Sequence, residues 1–159
     1  MPATINRIKI YTDGSCHTQK LVGGWAAIIF INDEKTILSG TAVNTTHNRM
    51  ELTAVIEAIK YVHTKYSNET EVHLYSDSQY VIGLRARGQK LLANNFITQK
   101  GNEIQNADLV KEFLSIIAAV NIQLLKIKAH QKQHDEPNYN IEADKLSRKI
   151  VRDAVQRLT

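Results

Sequence analysis

The chain has 159 residues, 43% hydrophobic and 23% charged, with a net charge of +4 and a single cysteine. That length suits one domain with its own buried core, the lone cysteine excludes an intramolecular disulfide, and the mildly basic balance admits a polyanionic partner without requiring one. The longest apolar run, Trp25 to Ile31, is too short to span a bilayer, and MPATINRIKI lacks the apolar stretch of a secretory leader, so a soluble cytoplasmic domain over 1–159 is expected.

The first strand is expected over Arg7 to Thr12, the second over Trp25 to Ile31 and the third over Thr36 to Val43. Asn32-Asp33-Glu34 makes a hairpin-type turn between the last two. Leu52, Val55, Ile59 and Val62 recur at helical spacing, which predicts a helix from about Asn48 to Thr64. Glu71 to Ser76 alternates as EVHLYS and reads as a fourth strand. A short helix should start at Ser78, followed by a polar segment whose pattern favours neither helix nor strand. Leu109, Phe113, Ile116 and Val120 share one face of a helix over Ala107 to Val120. Asn121 to Ile127 is the fifth strand, and the last helix runs from about Ile141 to Gln156. A three-strand antiparallel meander followed by strands separated by helices predicts the α/β class: a mixed five-stranded sheet, three strands antiparallel plus two parallel, with helices on both faces.

Four acids stand out by position. Asp13 closes the first strand in YTDGSC, and Asp77 closes the fourth in LYSDSQY. Glu51 lies in the first turns of the long helix and Asp144 in the first turn of the last one. Ligands of open α/β sheets gather at the carboxyl ends of strands, so Asp13 and Asp77 should lie side by side at one edge if strands one and four are neighbours. Singly, each acid has an ordinary reading as a turn, cap or helix-dipole residue. Four converging carboxylates, however, repel one another unless a cation neutralises them. Oxygen-only donors suit Mg²⁺, with Mn²⁺ as a substitute. Such a cluster suits two ions roughly 3.5–4 Å apart, the arrangement used for in-line phosphodiester displacement.

His130 and His134 stand four apart in KAHQKQHDEPNYNIEAD, from Lys128 to Asp144. That spacing binds zinc when one helix carries both rings, but the proline and asparagines that follow make this a loop. Basic residues cluster twice, around Arg85, Arg87, Lys90 and Lys100, and again from Lys145 to Arg157.

The stretches YTDGSC (11–16), THNRMEL (46–52), YSDSQYV (75–81), NADL (106–109), KAH (128–130) and NIEADKLSR (140–148) span nearly the whole chain. Together, and in this order, they resemble the type 1 ribonuclease H family, whose members cut the RNA strand of RNA/DNA hybrids. The resemblance implies a two-metal hydrolysis leaving 5′-phosphate and 3′-hydroxyl ends. Asp13, Glu51, Asp77 and Asp144 then fall on the metal-binding carboxylates, supported by Asn140 and Ser78. His130, directly after the fifth strand, falls on a mobile histidine near the scissile phosphate; a ten-residue count back from Asp144 would choose His134 instead. Gly14, Ser15, Asn48 and Gln79 fall on positions contacting the minor groove, where a 2′-hydroxyl marks RNA. Cys16 reads as a small packed residue or groove contact. Thr46 falls on a DNA-phosphate pocket whose usual asparagine is Gln19 here. Arg85, Arg87 and Lys90 occupy the place of a basic protrusion, without its tryptophans. The expected partner is an RNA/DNA hybrid, with no membrane and no obligate protein partner, the chain acting as a monomer. A reverse-transcriptase ribonuclease H domain and a DNA nuclease of the same fold are the alternatives.

Overall fold

The computed structural model describes residues 7–66, 70–127 and 139–158. In chain order these form β1 (Arg7–His17), β2 (Val22–Ile31), β3 (Glu34–Ala42), α1 (His47–Lys65), β4 (Glu71–Ser76), α2 (Gln79–Ala86), α3 (Gly88–Ala93), α4 (Ala107–Ala118), β5 (Asn121–Lys126) and α5 (Tyr139–Arg157). The strands make one sheet in the order β3-β2-β1-β4-β5. The β1–β2 and β2–β3 pairs are antiparallel, and β1–β4 and β4–β5 are parallel, the mixed topology expected from the element order.

Alternation along β1 divides the molecule into two layers of helices. Ile8 and Ile10 are fully buried and join Leu52, Val55 and Ile59 of α1, Val72 and Leu74 of β4, and Phe113 of α4 in the main core. Burying side chains of this size stabilises by roughly 1.5–3 kcal/mol each. The intervening residues face α5. The Tyr11 ring lies 5.5 Å from that of Tyr139 and 4.9 Å from that of Tyr75. The Ser147 hydroxyl of α5 donates to Asp13.

Several boundaries differ from the sequence reading, three of them beside the acids. β1 does not close at Asp13 but continues to His17, and β2 starts at Val22, before Gly23 and Gly24. Those glycines weaken strand propensity, yet the ladder runs through them, pairing Cys16 with Gly23 and Ser15 with Gly24. The chain passes close to other elements here: a Cβ on Gly24 would stand 2.8 Å from Ile150 of α5. The last helix is already formed at Tyr139, where the described residues resume, so Asp144 lies beyond its first turn.

The ambiguous stretch resolves into α2 and α3, then a turn closed by a bridge between Ile97 and Glu103. Its anchor is Phe96, 9% exposed, which joins the core from a left-handed backbone position (φ 60°) beneath Lys111, whose Nζ lies 5.3 Å from the ring centroid. Arg49 of α1 grips Asp108 of α4 with two parallel hydrogen bonds of 3.0 and 2.8 Å, joining the two helices on that face.

Candidate active site

The parallel pairing of β1 with β4 ends at Tyr11 and Tyr75. Two residues further along each chain come Asp13 and Asp77, so the same register sets both carboxylates side by side where the strands part. They lie within the strand order, not at its margin, because β1 is the central strand. Glu51 reaches the same point from α1. A carboxylate oxygen from each of Asp13, Glu51 and Asp77 lies within 4.8 Å of the others.

Asp13 is 3% exposed and Glu51 2%. Burial pushes the Asp13 carboxyl from 3.8 up to about 8; the charge of Glu51 adds to this, the Ser147 hydroxyl partly offsets it, and Asp77 and Asp144 push the same way. Glu51 is also raised, first by burial, with a hydrogen bond to His47 opposing. The same bond raises the His47 imidazole. Its Nε2 lies 3.3 Å from Glu51 Oε1. Glu51 Oε2 is buried and has no hydrogen-bond partner among the described residues. An uncompensated buried carboxylate oxygen beside two further acids is the donor set a hard divalent cation satisfies. The residues present fit such an ion.

Asp144 lines the same cavity, of about 640 Å³, but stands apart from the three-acid cluster. Its Oδ1 accepts from Arg148 Nε at 3.1 Å, one turn on along α5. Gly14, Ser15 and Asn140, the last 2% exposed, line the cavity as well.

Other residues singled out in the sequence are placed differently. Ser78 is the N-cap of α2: its Oγ accepts from Val81 at 3.1 Å while its own N–H donates to Ser76 Oγ at 3.0 Å, fixing the chain just after Asp77. Thr46 is the N-cap of α1, accepting from the Arg49 amide at 3.2 Å. Cys16 donates to the Thr45 carbonyl at 3.5 Å, and burial raises its thiol pKa, so a packed thiol fits better than a nucleophile. Gln19 and Asn48 are exposed, and exposed Gln79 accepts from Lys126. Arg85 donates to the Ile122 carbonyl at 3.2 Å, Arg87 to the Gly83 carbonyl at 3.4 Å, and Lys90 is exposed on α3. None of these lines the cavity. His130 and His134 lie outside the described residues.

His47 and Ser147 escaped the sequence reading, while Lys145 and Arg148 were read there only as part of a basic stretch and not as lining the acids' cavity. His47 precedes Glu51 by one helical turn, a spacing visible in THNRMEL. Ser147 follows Asp144 by three, but only the packing of α5 on β1 aims it at Asp13.

A family model described as RNase H matches residues 6–152. A protein named ribonuclease H from Thermoanaerobacter sp. (strain X514) is 36% identical over 154 residues, covering 96% of this chain and 94% of its own. One of the same name from Wolbachia pipientis wMel is 39% identical over 146 residues, covering 91% of this chain and 95% of its own. Among solved structures, the crystal structure of LC9-RNase H1, described as a type 1 RNase H with the type 2 active-site motif, superposes with a TM-score of 0.78 at 19% identity, covering 95% of this chain and 74% of that one. A foamy viral protease-reverse transcriptase in complex with dsDNA superposes with a TM-score of 0.71 at 20% identity, covering 89% and 92% of the two chains. Identities this low speak for the fold alone.

Proposed function

The chain belongs to the RNase H family, and from that membership we propose that it is an endonuclease hydrolysing the RNA strand of RNA/DNA hybrids. The observation that carries this reading is the convergence of Asp13, Glu51 and Asp77 within 4.8 Å, with one Glu51 oxygen buried and unpartnered among the described residues. These three carboxylates would hold Mg²⁺, or Mn²⁺ in its place, and Asp144 across the cavity would complete a site for two ions. Bound there, such ions supply a more acidic water and charge for the leaving oxygen.

The chain's own residues do the rest. Asp13 and Glu51 reach the cluster from opposite faces of the sheet, in a water-excluded setting where a bound cation would favour their charged forms. Lys145 and Arg148 bring positive charge to the cavity wall that an incoming phosphodiester would face. Arg148 also holds Asp144 at 3.1 Å. Gly14 and Ser15, on the strand that carries Asp13, are placed to meet the RNA strand, whose 2′-hydroxyl distinguishes it from DNA. His130 remains the proposed proton relay on sequence grounds. Thr46 and Gln79 keep their proposed phosphate and groove contacts alongside the bonds described above.

Among the described residues no helix is long and apolar enough to cross a membrane. A single-domain, monomeric, cytoplasmic enzyme is the form we propose. The test is cleavage of one sequence prepared as hybrid, duplex DNA and duplex RNA, with Mg²⁺ and with chelator. Cutting of the hybrid's RNA strand alone, dependent on Mg²⁺, is expected; cutting of duplex DNA instead would reassign the fold's activity here.

A further inference from the structure

Two side chains that bind nothing in the sequence reading each hold one oxygen of a buried acid. Ser147 is fully buried on α5, and its Oγ stands 2.6 Å from Asp13 Oδ2. The same Oγ lies 3.1 Å from the Asp144 carbonyl of its own helix. A hydroxyl has one proton to give, and the shorter contact, to Asp13, takes it. His47 stands on α1, against the other face of the sheet. Its Nε2 reaches Glu51 Oε1 at 3.3 Å, while the imidazole itself is 62% exposed.

The two contacts are therefore made from opposite layers of the molecule, by residues outside the carboxylate cluster, and each engages one oxygen of its acid. Glu51 Oε2, the oxygen His47 does not touch, is the buried atom without a hydrogen-bond partner among the described residues. A carboxylate free to rotate about its last bond offers either oxygen in turn. One fixed at a single oxygen offers the other in a set direction, as outer partners of metal ligands do.

We propose, resting on the metal reading above, that Ser147 and His47 are positioning residues which pin Asp13 Oδ2 and Glu51 Oε1 and so aim the remaining oxygens at a divalent cation before it arrives. Neither touches the ion or the substrate in this role. The loss of either tether should weaken cation binding.

The experiment titrates MgCl₂ calorimetrically into the metal-stripped full chain as wild type, Ser147→Ala, His47→Ala and His47→Gln, with melting curves to establish that each is folded. Both alanine variants should bind Mg²⁺ about tenfold more weakly, the lower end for losing an outer partner. His47→Gln should recover most of the loss, because its amide N–H can serve the same oxygen. In steady state both alanine variants should need more Mg²⁺ for half-maximal rate, and the fully buried Ser147→Ala should leave KM for the hybrid at saturating Mg²⁺ unchanged. Wild-type Mg²⁺ affinity in both alanine variants would overturn the proposal. A His47→Gln as weak as His47→Ala would remove His47 from it. Absence of saturable Mg²⁺ binding by the wild type would overturn the metal reading itself, a different result from equal binding by all four proteins.

Discussion

Gly14 and Glu51 touch backbone to backbone: a Cβ on Gly14 would stand 2.4 Å from the Glu51 amide nitrogen. Only a residue without a side chain lets β1 approach α1 so closely, and that approach brings Asp13 and Glu51 into one cluster. Gly14→Ala should therefore displace the first turns of α1, lowering stability by about 1–3 kcal/mol, the usual cost of overpacking. Cleavage should fall far more than stability, because Glu51 moves away from its partners. A variant with wild-type turnover and an unchanged melting midpoint would show that the two backbones are not in contact.

Metal-free protein should lose stability as pH rises. The Asp13 carboxyl titrates near 3.8 when unfolded and is raised to about 8 when folded. Below the lower value both states hold the proton, and the full contribution to stability is present. As pH climbs towards 8, the unfolded chain releases its proton while the folded one keeps it, so stability declines and then levels off. Glu51, raised in the same direction, steepens the decline. Melting midpoints in chelator, followed from about pH 5 to 8, should fall and should flatten in Asp13→Asn. Saturating Mg²⁺ should reverse the trend, since cation binding favours the ionised acids.

Asp77→Asn removes one of the charges that push Asp13 and Glu51 upward. In chelator the variant should melt higher, by about 2–4 °C for each kcal/mol of repulsion relieved. Cleavage in Mg²⁺ should drop at least about 10³-fold, the upper range for one electrostatic group at a reacting centre. Near-wild-type turnover with the expected gain in stability would separate the acid's repulsion from any part in catalysis.

The topology was legible because period-two and period-3.6 patterns are local, and each element of the sheet and of α1, α4 and α5 carries its own. Asp13 and Asp77 were legible as neighbours because each follows an apolar strand and β1 pairs with β4. What the pattern could not carry was the end of β1. Gly14, Ser15 and Cys16 have weak strand propensity, and their ladder exists because β2 supplies partners for them. Thr46 and Ser78 had a cap signal in plain view, and the structure gives both that role as well. Ser147 was silent for another reason. A small polar residue on a helix takes its meaning from the face it turns to a neighbour, here Asp13 across the α5–β1 contact.

The two helices after β4 carry the last prediction. Arg85 and Arg87 spend one donor each on the Ile122 and Gly83 carbonyls, yet all three of Arg85, Arg87 and Lys90 are exposed. Each residue that meets a phosphate of the hybrid should contribute about 0.9 to the slope of log affinity against log salt. Replacing all three with alanine should weaken hybrid binding and flatten that slope by up to about 2.7, while the rate at saturating hybrid stays close to wild type. Lys90→Ala alone should remove about one of those units without loss of stability, whereas Arg85→Ala should also loosen the packing of α2 on β5. An unchanged slope in the triple variant would place the electrostatic grip on α5, where Lys145, Lys149 and Arg152 are all exposed.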